Sequence, residues 1–171
     1  FEFFPPKTPD GRTAFDTAVG ELSSLEPSFV SVTYGAAGAT RHNTHYVVVR
    51  VNQEQAFPAM PHLTCVGHTR QDLVSLLEDY RACGVHNVLA LAGDPPADGS
   101  DPGGDFTYAS ELVYLAHEVD GFAVAVAAFP EIHPRSPDRE TDRRQLAAKL
   151  GQSDFGMTQF FWEVDHYRRM V

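Results

Sequence analysis

The sequence predicts an α/β fold, a (β/α)8 TIM barrel of which six βα units are visible along its 171 residues. Three observations predict it. Short apolar runs rich in β-branched and aromatic residues alternate six times with amphipathic stretches, the pattern of parallel strands joined by helices. The runs are regularly spaced, and polar residues recur where they end, which is where such barrels carry their chemistry. Six units also fall short of the eight that close a barrel of roughly 250 residues. The chain is thus expected to be one barrel domain over 1–171 without its C-terminal strands, with an open doubly wound sheet as the fallback.

The first strand is expected over Phe1–Phe4, ended by Pro5-Pro6, with a first helix over Thr13–Leu25. A second strand, Phe29–Tyr34, precedes a helix over Thr44–Gln53, whose Val47, Val48 and Val51 make an inward face despite their β-branching. The third strand, Met60–Cys65, leads to a helix over Gln71–Cys83, where Leu73, Leu76, Leu77 and Tyr80 repeat at helical spacing and Cys83-Gly84 supplies the stop. Strand four is Asn87–Leu91, followed by GDPPADGSDPGGD, Gly93 to Asp105, a rim loop too rich in Gly, Pro and Asp to build a core. Helix Tyr108–Glu118, strand Ala123–Phe129, helix Arg139–Leu150, strand Gly156–Trp162 and a helix from Val164 complete the pattern.

Composition narrows the function. The formal charge of -10, from 13 Lys and Arg against 23 Asp and Glu, excludes nucleic acid and an anionic membrane surface as principal partners. An anionic small molecule needs a local basic patch, and Arg135, Arg139, Arg143, Arg144 and Lys149 supply the one dense run: a solvated face, or a clamp for a diphosphate or a folate tail. No stretch is long enough to cross a membrane. Two cysteines, Cys65 and Cys83, are expected as free thiols in a reducing, cytoplasmic compartment. The sequence starts at Phe1 without Met, so the natural N-terminus is expected to lie upstream. A homo-oligomer is left open.

The strand ends gather Glu2, Thr33-Tyr34-Gly35, His62 and Thr64, Asp94, Glu131 and His133, and Thr158-Gln159. Glu2 is the puzzle, a carboxylate among phenylalanines. Alternation puts Phe1 and Phe3 on one face and Glu2 with Phe4 on the other. A carboxyl desolvated by aromatics is suited to hold a proton as a general acid; the alternative is a structural acid paired to a buried Arg or to backbone N–H groups. His62 and Cys65 in PHLTCVGH point to opposite faces of a strand, so no metal site is expected there. Asp94 is equally a turn aspartate before proline, and Gln159 a cross-strand hydrogen-bonder. YGAAGAT and AGDPPADGS have neither dinucleotide-fingerprint nor P-loop spacing.

The segments FEFFPPKTPDG, FVSVTYGAAG, PHLTC, LAGDPP, YASELV, FPEIHP and TQFFW occur in the order and approximate spacing of one family. The chain resembles methylenetetrahydrofolate reductases along nearly its whole length. The resemblance implies an eight-stranded β/α barrel that binds FAD, takes a hydride from NADH or NADPH and reduces methylenetetrahydrofolate to methyltetrahydrofolate in one-carbon metabolism. It implies Glu2 as the acid that opens the folate ring, Asp94 as a folate-binding and electrostatically stabilising residue, and Gln159 as a substrate contact. On the cofactor side it implies Thr33, His62, Gly93, Asp94, His133, Asp142 and Lys149.

The departures fall on the flavin side. Ala92 stands where the family commonly has Arg in L-R-G-D, Phe129 where it commonly has Tyr, and Gln145 and Ala148 where it has a flavin-contacting Asn and Arg. With Glu2, Asp94 and Gln159 retained, this uneven pattern implies weakened FAD affinity and direct hydride transfer from nicotinamide to folate, with Arg143 or Arg144 as replacement cations. Two other readings stay open: a folate-binding homologue without redox activity, and a barrel reducing another carbon–nitrogen substrate.

Overall fold

The computed structural model describes residues 1–34, 41–94 and 99–171, with Arg41 described by its backbone alone. Gly35 and the rest of the second Gly-rich stretch up to Thr40, and the part of the rim loop at 95–98, lie outside the described residues. The elements in chain order are β1 (Glu2–Phe3), α1 (Pro9–Ser23), β2 (Val30–Val32), α2 (Arg41–Glu54), β3 (Ala59–Thr64), α3 (Arg70–Ala82), β4 (Asn87–Leu91), α4 (Ala109–Val119), β5 (Ala123–Ala128), α5 (Arg139–Leu150), β6 (Phe155–Thr158) and α6 (Val164–Met170).

The strands form one sheet in the order β1-β2-β3-β4-β5-β6, every neighbouring pair parallel. That order decides between the two expected architectures. A doubly wound sheet reverses its strand order part-way, whereas repeated crossovers of one hand lay strands down in chain order with their helices on one side. The result is a half-barrel, consistent with an incomplete TIM barrel. Its curl is measured by Phe29, just before β2, and Phe155, which opens β6: their rings meet edge to face at 6.2 Å. In a flat sheet four strand spacings, about 19 Å, would hold them apart.

Strand alternation gives the two faces different jobs. Val30 and Val32, Leu63, Val88 and Ala90, and Val124 and Val126 point outward, where Val48, Leu73, Leu77, Leu112 and Ala116 of the helices bury them in the main core. The inward residues of β3, β4 and β5 make a second, smaller cluster of Met60, Leu89 and Ala125, flanked by Phe29, Leu91, Phe155 and Met157. This cluster floors the concave face. Inward, β5 presents only alanines, Ala123, Ala125 within this cluster and Ala127 above it, so little side-chain volume fills the hollow above the floor.

Caps fix where the helices begin. Thr8 accepts from the Gly11 N–H at 3.1 Å with Pro9 in the first turn, so α1 starts a turn earlier than the apolar pattern predicts. Thr69 and Asp72 form a capping box on α3, and Gly84, at φ +80, ends it as expected. The predicted sixth strand is the main difference: β6 ends at Thr158, and Gln159 to Trp162 lie beyond it. The apolar run was long enough to read as strand, but Phe160 and Trp162 are exposed and meet each other edge to face at 4.9 Å instead of packing on the sheet.

The far end of the rim loop is pinned to the start of α3: Asp105 donates its N–H to His68 at 3.0 Å, and its carboxylate accepts from the Arg70 N–H at 2.8 Å. Gly104, at φ +88, leaves no room for a side chain there, because a β-carbon would lie 2.6 Å from the His68 carbonyl oxygen. Gly104→Ala should therefore lower stability by about 1–3 kcal/mol. Gly20→Ala, in an exposed part of α1 with nothing within 4 Å, should leave it unchanged or raise it by about 0.4–1 kcal/mol. Thermal melts of the two variants check the contrast.

Candidate active site

Packing on the outside of the sheet fixes what faces the inside. Phe3 turns outward, its ring 5.0 Å from that of Phe15 on α1, so its neighbour Glu2 must turn to the concave face. There Glu2 Oε2 lies 3.5 Å from Nε2 of His62 on β3, across the intervening β2. The His62 side chain is 11% exposed and that of Glu2 48%. Burial pushes the His62 pKa down to about 4, so at neutral pH the contact is between a carboxyl and a neutral imidazole rather than an ion pair. Nε2 is buried and has no hydrogen-bond partner among the described residues.

The aromatic enclosure expected for Glu2 is not there. Phe4 shares its face but is 75% exposed, and Phe1 59%. The sheet opens at β1, so these rings have nothing to pack against, and the group that touches Glu2 is an imidazole. Neither expected alternative, a buried Arg or a set of backbone donors, is its partner.

A second group forms at the ends of β4 and β5. Gly93, at φ +95, packs against Thr64, two residues beyond His62 on the same face of β3; a β-carbon at Gly93 would come within 3.1 Å of the threonine side chain. The Gly93 carbonyl accepts from Arg135 Nη2 at 3.3 Å. Arg135 also donates its backbone N–H to His133 Nδ1 at 3.1 Å, and the His133 ring meets Phe129 edge to face at 4.6 Å. Burial, with the Lys149 charge adding to it, lowers the His133 pKa and keeps this ring neutral as well. Asp142 on α5 is buried, with one oxygen bonded to Ser136 Oγ at 2.7 Å. Lys149 donates from Nζ to the Ala127 carbonyl at 2.6 Å, and burial lowers its pKa against the pull of Asp142.

The remaining expected residues are more loosely placed. Gln159 follows β6, its N–H bonded to the Ala128 carbonyl at 2.7 Å, and its side-chain oxygen folds back onto the Phe160 N–H at 2.9 Å. Thr33 ends β2 and its carbonyl accepts from Thr44 Oγ1 at 2.9 Å. Asp94 is exposed at the last described position before 95–98. The structure thus joins Glu2 with His62, and Gly93 with His133 and its neighbour Phe129 through Arg135, while Asp142 and Lys149 act on the His133 ring through their charges.

Arg135 is the member of the basic run that the sequence did not assign to the Gly93 turn. It reaches Gly93, beside Ala92, whereas Arg143 is exposed and Arg144 bonds only Thr141 of its own helix at 3.3 Å. Its place directly after strand five, in FPEIHPR, was the available signal. Cys65 turns outward into the core; burial, then the Glu111 charge, push its thiol up to about 11. Both cysteines are free, and among the described residues no three His, Cys, Asp or Glu side chains converge as metal ligands.

The family model for methylenetetrahydrofolate reductase matches residues 1–171. The chain belongs to the methylenetetrahydrofolate reductase family. The 5,10-methylenetetrahydrofolate reductases of Pectobacterium carotovorum subsp. carotovorum and Escherichia coli (strain K12) are each 39% identical over 170 residues, 99% of this chain and 56% of theirs. Methylenetetrahydrofolate reductase (NADH) 1 of Arabidopsis thaliana is 34% identical over 187 residues, covering all of this chain and 31% of its own. This chain therefore spans about half the length of its bacterial relatives.

Solved structures agree on the scaffold. A Clostridium thermocellum protein described as binding two copies of 5-methyl-5,6,7,8-tetrahydrofolic acid superposes with a TM-score of 0.66 at 12% identity, over 99% of this chain and 56% of that one. Oxaloacetate acetylhydrolase does so at 0.61 and 14%, over 90% and 58%. Two unlike chemistries on one scaffold mean that the fold leaves the reaction open.

A buried neutral histidine ties stability to pH. Unfolded, His62 titrates near 6.5; folded, near 4. Between these values the unfolded chain binds more protons, so His62 contributes stability that is complete above pH 6.5 and is lost as pH falls toward 4. Between pH 7 and pH 5 the parent should lose on the order of 1–2 kcal/mol more than His62→Phe does. Denaturant titrations of both proteins at the two pH values measure the difference.

Proposed function

We propose that the protein reduces 5,10-methylenetetrahydrofolate to 5-methyltetrahydrofolate with NADH or NADPH. The observation that carries this is the Glu2 carboxyl on the concave face of a chain of this family, facing a hollow left by the alanines of β5. In this reading the Glu2 acid gives its proton to the folate nitrogen whose bond to the bridging carbon breaks, which opens the five-membered ring to an iminium. The nicotinamide hydride then adds to the iminium carbon, leaving a methyl group and the oxidised nucleotide. Asp94, at the rim, stabilises the cation electrostatically, and Gln159 offers a donor and an acceptor to the pterin edge once its side chain swings off the Phe160 N–H. That a Clostridium thermocellum protein on this scaffold binds a methylated folate supports a folate in the hollow.

The residues present do not fit a tightly held FAD. A flavin diphosphate needs cations or free N–H donors. Lys149 is half-buried and bonded to Ala127, Ala92 is uncharged, and His133 is held neutral. The first turn of α5 is occupied by its own cap, Asp138, with Glu140 and Asp142 behind it, three carboxylates where an anion would dock. Among the described residues, Arg135 and Arg139 are the cations at this rim, each bonded to a backbone carbonyl, that of Gly93 and that of Pro130. We therefore place the hydride directly between nicotinamide and folate, with flavin bound weakly or not at all, and the two free thiols are consistent with a cytoplasmic enzyme.

Two measurements test this. The purified full-length protein should be colourless and oxidise NADH or NADPH with methylenetetrahydrofolate at a rate that added FAD does not change; turnover only with FAD would overturn the flavin-free route. Glu2→Gln should lower kcat by about 10²–10⁴-fold, the usual scale of general-acid assistance, with folate affinity within about twofold. A variant of near-normal activity would remove Glu2 from the mechanism.

A further inference from the structure

His62 and Glu2 form an asymmetric pair. The imidazole is fixed, on the central part of β3 and walled by its own sheet, while the carboxyl stands on the two-residue β1 with about half its side-chain surface open. A buried ring nitrogen without a hydrogen-bond partner among the described residues is unfavourable, and the Glu2 carboxyl stands 3.5 Å away. A rotation of the half-exposed Glu2 side chain is enough to bring the two to hydrogen-bond length. The strands packed around the imidazole present no other charge: β2 offers Ser31 and Thr33, and β4 offers Leu89 and Leu91.

We propose that His62 is a positioning residue for the acid: its Nε2–H donates to Glu2 Oε2, holds the carboxyl over the concave face with its other oxygen toward the substrate, and steadies the carboxylate left after proton transfer. The proposal rests on the reading of Glu2 as the proton donor. No proton leaves His62 in this step; the only O–H bond broken is that of Glu2, and the proton goes to the leaving nitrogen of the folate. A neutral imidazole suits the task better than a guanidinium. A cation 3 Å from the carboxyl would favour its ionised form throughout, whereas a neutral N–H bonds either form and leaves both within reach. Burial supplies that neutrality, because the imidazole does not take up a second proton until about pH 4.

The test is a double-mutant cycle in the full-length protein, with kcat and KM measured for the parent, Glu2→Gln, His62→Phe, His62→Gln and the double variant Glu2→Gln/His62→Phe. Loss of one hydrogen bond to a charged group corresponds to about tenfold, so His62→Phe should lower kcat by about that factor with KM within twofold. His62→Gln, which returns an N–H donor to the same place, should recover most of the loss. In the Glu2→Gln background the His62→Phe change should have no further effect, since the group it acts through is gone. Equal losses in both backgrounds, or no recovery by Gln, would overturn the pairing while leaving Glu2 as the acid; full activity of Glu2→Gln would overturn both. A readout independent of turnover uses ¹⁵N-labelled histidine: His62 should be in the Nε2–H tautomer in the parent and lose that preference in Glu2→Ala. An unchanged tautomer population would sink the pairing alone.

Discussion

The contact between the Phe29 and Phe155 rings is what makes a site out of a sheet. It joins the entrance of the second strand to that of the sixth, and the two rings can meet only if the sheet rolls toward its inner side. With Met60, Leu89 and Ala125 beside them they close the bottom of the hollow, and the roll tilts every strand's far end toward one mouth. Glu2, His62, Thr64, Gly93 and Phe129 come from four different strands or strand ends, and convergence of that kind depends on curvature rather than on any pairwise attraction among them.

The mouth is electrostatically quiet for a protein whose formal charge is -10. Both of its histidines are held neutral, chiefly by desolvation; the carboxylate of Asp142 and the ammonium of Lys149 are tied to Ser136 and to a backbone carbonyl, and the acidic first turn of α5 guards the helix end nearest them. Charge introduced by a substrate is then felt mainly by groups left partly in water, among them Glu2, Asp94 and Arg135. A reaction that passes through a cation and consumes a hydride needs that kind of background, in which a developing positive centre meets a nearby carboxylate and few fixed cations.

Much of the fold was legible in the sequence. The Val/Ala alternation of strand five, the leucine spacing of α3 and the Cys83-Gly84 stop each follow from a single periodicity or turn rule, and each is present. The strand order was not legible directly, since six βα units fit two architectures; it needed the pairings. The sixth strand was drawn too long because hydrophobicity does not distinguish a ring that packs on a sheet from one that packs on a nearby ring. In the site, the parity argument separated Glu2 from Phe3 and His62 from Cys65, but the sequence gives no measure of how far a short edge strand stands from water, so the expected phenylalanine cage was absent. Arg135 was named in the basic run but could not be seated on Gly93 for a related reason: its partner is a backbone carbonyl, and main-chain acceptors leave no mark in a sequence.

The two cysteines end up chemically unlike. Cys65 is buried with its thiol pushed up to about 11 and its sulfur shared between the carbonyls of Ala92 and Tyr108, while Cys83 sits half-open at the end of α3, on the helical side of the sheet. Alkylating reagents at neutral pH therefore meet one competent sulfur. A fluorophore or spin label attached there reports from the convex flank without entering the hollow, which makes residues 1–171 a ready single-label segment for distance measurements.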